Sequence, residues 1–148
     1  DGNPLTAALC GYIFEQYAIG LLGKGGKFSC RKLFRGNKKM KHDDTMLDIL
    51  PSDKIVADRV LTNHTHNQLY VPKTKNYAAI DAWIPGVGAF QITVGKNHDI
   101  KGSAKDDLAK LGEANRLYWV LPPERYHSFT IKPPESIEQY AVMIPFPE

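Results

Sequence analysis

Apolar residues along this chain change period several times, and the changes divide it into helical and extended stretches. From Leu5 through Ala8, Leu9, Tyr12, Ile13, Phe14, Tyr17, Leu21 and Leu22 they recur at helical spacing. Asn3-Pro4 ahead of them supplies an N-cap and a proline at the first helical position, and Gly23-Lys24-Gly25-Gly26 stops the run, so the spacing predicts a first helix. The next stretch, Lys27–Phe34, alternates with Phe28, Cys30 and Leu33 inward, as a strand does. Met46–Leu50, Val56–Leu61 and Leu69–Val71 are three more short apolar runs. Pro72 closes the last of them, and its missing N–H suits a strand end or an edge.

The segment from Tyr77 to Ile100 carries the densest signal. Ala78–Ile84, interrupted by Asp81, and Ala89–Val94, interrupted by Gln91 and Thr93, flank Pro85-Gly86-Val87-Gly88, and two β-rich runs around such a turn predict a hairpin. Pairing about Gly86 sets Asp81 opposite Gln91 or within one residue of it. Alternation then puts Gln91 and Thr93 on one face and Phe90, Ile92 and Val94 on the other. Ser103 opens a second helical pattern, with Asp106 as its capping partner and Ala104, Leu108 and Leu111 as the buried stripe. Leu117–Leu121 is apolar without interruption, as in a strand covered on both faces, and Pro122-Pro123 ends it. Ser128–Ile131 and Tyr140–Ile144 are the last strand candidates. Helix, strands, hairpin, helix and strand in that order predict an α/β fold, a mixed sheet with helices packed against it.

Composition narrows this picture. A chain of 148 residues with 43% hydrophobic content suits one domain, residues 1–148, that needs neither disulfide nor structural metal. It begins at Asp1 rather than at Met, as expected of a piece of a longer or processed protein. No apolar run approaches the roughly 20 residues of a membrane helix, so no membrane role is expected. Cys10 and Cys30 lack CxxC spacing and read as buried thiols. The net charge is only +3, yet Arg31, Lys32, Arg35, Lys38, Lys39 and Lys41 crowd into one segment. A charge run is ordinarily a solvated face, but this one is dense enough for phosphate contact and is a candidate nucleic-acid surface.

Two polar groups on otherwise apolar strands need an explanation. Burying Asp81 and Gln91 without partners costs about 1–3 kcal/mol each, and a divalent cation with its waters is one way to satisfy them. Glu15, in the middle of the apolar first helix, is either solvated or a carboxylate aimed at the hairpin. A rival metal site is His64 with His66, completed by His42 or His127 around zinc, though no fixed spacing supplies the further ligands.

An acid on the first helix, a second on the first hairpin arm and a metal-capable side chain on the other arm resemble the PD-(D/E)XK restriction-endonuclease-like nucleases, whose core is αβββαβ. The blocks GYIFEQYAIGLLGKGGKFSCRKL, LYVPKTKNYAAIDAW, FQITVGKNHDIK and LYWVLP look closer still to the nuclease-like domain of Crinkler effectors and retrotransposon-hot-spot proteins, over roughly Ala8 to Pro122. The resemblance implies a metal-dependent nuclease acting on DNA. Asp81, Gln91 and the Ile92 carbonyl would hold Mg²⁺ or Mn²⁺, with Glu15 assisting through a water. Gln91 stands where most of the family carries an acid, and Thr93 stands at the motif lysine, so Lys96 or His98 would orient the water or stabilise developing charge. The same two departures support the alternative, a catalytically inactive module that binds nucleic acid or a host protein; a purely structural α/β domain leaves Asp81 without a role. By the same resemblance, the compartment implied is the nucleus of a host cell.

Overall fold

The computed structural model describes residues 4–37, 44–57, 65–73, 80–95, 108 and 116–145. The chain opens with α1 (Pro4–Lys24) and continues through β1 (Gly26–Lys32), β2 (Asp44–Ile49), β3 (Lys54–Ala57), β4 (Leu69–Pro72), β5 (Ala82–Ile84), β6 (Gly88–Ile92), β7 (Arg116–Leu121), a short α2 (Pro123–Tyr126) and β8 (Glu138–Met143). Gly25 ends α1. Its φ of 75° is left-handed, and a Cβ there would lie 2.6 Å from the Ile49 carbonyl, so glycine alone lets α1 turn directly into β1.

All eight strands form one sheet in the order β2-β1-β8-β7-β6-β5-β4-β3. β4, β5 and β6 pair antiparallel in succession; β7 adds parallel to β6, and β8 parallel to β7. β1 pairs antiparallel with both β8 and β2, and β3 runs parallel to β4 at the other edge. The mixed α/β sheet expected from the apolar pattern is present.

Each face of the sheet carries its own core. On the first, Phe14, Ala18, Ile19 and Leu22 of α1 cover Phe28, Ala82, Ile84, Phe90, Ile92 and Val120. The rings of Phe90, Tyr118 and Tyr140 stack across three adjacent strands there, at centroid separations of 5.2 and 4.9 Å. On the second face, Tyr70, Trp83, Ala89, Leu108, Trp119, Tyr126 and Phe129 pack together. Burying each large side chain contributes about 1.5–3 kcal/mol, which makes β6 and β7, covered on both faces, the centre of the fold. Fully buried Gln139 ties the second core to the following loop: its Oε1 accepts from Trp119 Nε1 and the Lys132 amide (3.0 Å each), and its Nε2 donates to the Lys132 carbonyl at 2.7 Å.

Several elements differ from their sequence expectations. β3 begins at Lys54, two residues ahead of the Val56–Leu61 run, and residues 58–61 of that run lie outside the described residues. Ser128–Ile131 forms no strand, because Phe129 packs on Trp119 (5.1 Å) and its carbonyl is taken by a side chain from β1. Pro122-Pro123 not only stops β7 but starts α2, with Pro122 at the N-cap and proline at the first helical position, where no N–H is needed. The helical pattern from Ser103 lies outside the described residues except for Leu108, which is helical and buried. α1 is apolar on two opposite sides, so Leu5 (80% exposed), Leu9, Tyr12 and Ile13 face outward.

Cys10 is the clearest correction. It sits on the exposed side of α1, whereas Cys30 is buried, and burial, followed by the charge of Asp44, pushes the Cys30 thiol up to about 12. The thiolate is the reactive form, so at pH 8 Cys30 stays protonated and shielded. Labelling the native protein with a thiol reagent at that pH should therefore modify one cysteine quickly, the second only on unfolding, and the Cys10→Ser variant should lose the fast phase.

Candidate functional site

β5 and β6 form the predicted hairpin, with Ala82 opposite Phe90, Trp83 opposite Ala89 and Ile84 opposite Gly88. The turn closes with the Val87 amide donating to the Ile84 carbonyl at 2.9 Å. Gly88 (φ 147°) is required here, because a Cβ would come within 2.8 Å of the Tyr118 ring. The turn is buttressed by the Asn67 amide, which donates to the Pro85 carbonyl at 2.9 Å, and by the His66 ring above Gly86.

At the other end of the hairpin the chain departs from strict alternation. Ile80 and Trp83 both enter the second core, while Ala82 and Ile84 enter the first, so one residue, Asp81, is stepped out of the pleat. The Asp81 amide donates to the Phe90 carbonyl at 2.8 Å, and its Oδ2 accepts the Ile92 amide at 2.7 Å. The carboxylate thus replaces the backbone acceptor that β5 no longer offers. On the opposite edge of β6 the Thr93 amide donates to the Val120 carbonyl of β7 at 3.1 Å. Alternate residues of a strand present their N–H and C=O groups to alternate edges, so the Ile92 carbonyl is turned toward Asp81.

The structure therefore seats the Asp81 carboxylate on Ile92 at the carboxyl end of β6, one residue along the strand from Gln91. Gln91 pairs in register with Trp119 and lies on the second face, with its Oε1 shielded from solvent. Glu15 does not share that face. It is half-buried on α1, next to Phe14 and one turn beyond Gly11, whose Cβ position is 3.9 Å from Val94 Cγ2. Glu15 lies on α1, which covers the first face, while Gln91 faces away from α1; the helical pattern marks a carboxylate but not which sheet face it meets. Buried Thr93 accepts the Gly95 amide through Oγ1 at 3.0 Å. Lys96 and His98 lie outside the described residues.

The basic segment divides. Arg31 is buried at 6% exposure, and its guanidinium donates Nε at 3.1 Å and Nη2 at 2.6 Å to the Tyr126 carbonyl and Nη2 at 2.7 Å to the Phe129 carbonyl, lying 5.4 Å from the Tyr126 ring centre. It is a clamp between β1 and the α2 loop, not a nucleic-acid contact. Strand alternation explains the correction: Arg31 points inward where Lys32 points out. Lys32 is exposed, 3.8 Å from Glu138 and 5.8 Å from the Phe34 ring centre, and Arg35 is exposed on the turn after β1. Lys38, Lys39 and Lys41 lie outside the described residues.

Sequence reasoning missed two groups. Glu138 accepts from Tyr140 Oη at 2.7 Å and sits between Lys32 and Arg116, a surface network whose register could be read only once β7 and β8 were paired. Arg125, on the unpredicted α2, donates Nε to the Val94 carbonyl at 3.1 Å. For the zinc rival, His66 stands at the amino end of β6 and His127 beyond the carboxyl end of β7, packed edge-on against Tyr126; His42 and His64 lie outside the described residues. Among the described residues no group of three or more His, Cys, Asp or Glu side chains gathers, and no helix is long and apolar enough to cross a membrane.

Removing the Arg31 clamp frees two carbonyls, at about 1–3 kcal/mol for each acceptor left unsatisfied. Arg31→Met should lower the unfolding free energy in urea by roughly that sum. Lys32→Gln should leave stability nearly unchanged, because an exposed ion pair contributes about 0–1 kcal/mol.

Over its whole length the chain is 54% identical to part of Crinkler effector protein 15 of Phytophthora infestans across 151 aligned positions, which cover 25% of that protein. It is 54% identical to part of Crinkler effector protein 16 of the same organism, covering 24% of it. The chain thus spans about a quarter of the length of these relatives and is homologous to that segment of them. No protein-family model and no solved structure matches it.

Proposed function

We propose, with homology to Crinkler effector proteins as the premise, that this chain is a restriction-endonuclease-like effector domain that hydrolyses phosphodiester bonds in DNA with Mg²⁺ or Mn²⁺. The observation that carries the reading is the Asp81 carboxylate seated on the Ile92 amide at the carboxyl end of β6. The order of elements supports it: α1, the antiparallel succession β4-β5-β6, then β7 parallel on β6, follows an αβββαβ core, with β1, β2, β3 and β8 as additions. Open α/β sheets bind ligands in the crevice outside the carboxyl ends of their parallel strands, where Asp81 stands.

The donor set fits a hard divalent cation. Asp81, Gln91 Oε1 and the Ile92 carbonyl are oxygen donors on neighbouring positions, the kind such an ion takes; Glu15, on the other face from Gln91, would take part only through a water. A cation held there supplies polarisation of the scissile phosphate and a lowered pKa for the attacking water. Asp81 carries the one full negative charge of the hairpin, Gln91 orients without adding charge, and Lys96 or His98 stabilises charge on the phosphate. Arg35, Lys38, Lys39 and Lys41 contact the DNA backbone, and the domain works in the nucleus of a host cell; Arg35 follows the carboxyl end of β1, which lies with the amino ends of β6 to β8, so the DNA would have to extend along the sheet from the Asp81 end.

A second reading has its own observation. Thr93 is neutral and its Oγ1 accepts the Gly95 amide, so position 93 brings no positive charge to a phosphate, as in an inactive module that only binds nucleic acid or a host protein.

Plasmid incubated with Mg²⁺, with Mn²⁺ and with chelator separates the two. The active domain nicks DNA with either metal and not with chelator, and Asp81→Asn reduces nicking to background. Asparagine is the right replacement because its carbonyl still accepts the Ile92 amide; Asp81→Ala orphans that buried donor and should destabilise the fold by about 1–3 kcal/mol. No nicking by the parent with either metal points to the inactive module. Replacing Arg35, Lys38, Lys39 and Lys41 by glutamine should weaken DNA binding and reduce the slope of log affinity against log salt by about 0.9 per lost contact; an unchanged slope makes the segment a solvated surface.

A further inference from the structure

We infer that Arg125 is the phosphate-binding cation at the carboxyl end of β6, standing in for the lysine that position 93 lacks; the inference rests on the nuclease reading above for its substrate. Arg125 projects from α2, and its Nε donates to the carbonyl of Val94, the residue after Thr93. That bond fixes the guanidinium where β6 leaves the sheet, at the same end as Asp81, Ile92 and Thr93. Half-buried Arg125 meets no carboxylate among the described residues, and its side chain is held through Nε.

This differs from Arg31, whose donors are turned into the protein. In Arg125 one donor is an anchor and the two Nη groups remain as a fork, the arrangement that matches a phosphate in bidentate fashion. α2 lies with the second core, the face that Gln91 and Thr93 share, so the guanidinium comes from the side where a lysine at position 93 would have pointed. In the hydrolysis, a water oxygen bonds to phosphorus and one phosphorus–oxygen ester bond breaks. The leaving oxygen ends with a proton from solvent, and negative charge grows on the non-bridging oxygens, where a guanidinium stabilises it.

Two readouts on Arg125→Gln and Arg125→Lys test this. Binding of a labelled short DNA duplex in chelator, across a salt series, needs no catalysis: Gln should lower the slope against log salt by about one and Lys should restore it. Nicking with Mg²⁺ should fall at least tenfold in Gln and recover partly in Lys. An anchor without a phosphate role predicts the contrary, a melting shift in both variants with parent-like slope and nicking, and that result overturns the inference. Absence of DNA binding by the parent overturns it too. If the parent binds but never nicks, the nuclease reading fails alone, and the Gln slope still decides for or against Arg125. Should Gln not fold, Lys decides: parent-like slope with reduced nicking supports the phosphate role, and unchanged nicking contradicts it.

Discussion

One hydrogen bond organises the functional end of this molecule: the Ile92 amide to the Asp81 carboxylate. β6 is shared between two neighbours of opposite direction, with β5 antiparallel on one edge and β7 parallel on the other. Past Ala82 the backbone of β5 steps out of register and cannot serve Ile92. A buried N–H without an acceptor is costly, so the strand can extend to Ile92 only because a side chain takes over. A carboxylate is thereby held in the plane of the sheet, at its carboxyl edge, by a requirement of the fold. In the proposed function this is where the cation would bind, because the Ile92 carbonyl is turned to the same edge of β6.

Much of the architecture was legible because its signals are local. The Pro85–Gly88 turn, the uninterrupted Leu117–Leu121 run and the glycines after α1 each specify one element by backbone preference, and the hairpin brings Asp81 beside the Gln91–Ile92 peptide as pairing about Gly86 predicts. Charge and long-range register were not legible. Arg31 lies in a basic run and looks like surface, but its role is set by the Tyr126 and Phe129 carbonyls, 95 and 98 residues away. Glu15 could be recognised as a carboxylate within an apolar helix; that α1 covers the face opposite Gln91 follows only from how the helix crosses the sheet. Pro122-Pro123 reads equally as a stop and as a start, and that ambiguity concealed α2 and with it Arg125.

Homology to segments of two Crinkler effector proteins and the physical reading meet at the hairpin, but they contribute different things. The homology relates the whole chain to about a quarter of each relative. The geometry bears on the proposed chemistry: the hairpin offers one carboxylate, one neutral amide and one carbonyl, a set with a single formal charge. Under the nuclease proposal, such a set would hold a cation more weakly than a hairpin with two carboxylates and would leave more of the phosphate charge to basic side chains.

The most direct measurement is calorimetric titration of Mn²⁺ into the folded parent and into Asp81→Asn, which retains the acceptor for Ile92. The account predicts one binding site per chain in the parent and its loss in the variant, with both proteins melting at similar temperatures. Equal Mn²⁺ binding by the two would place the cation away from Asp81 and contradict the account.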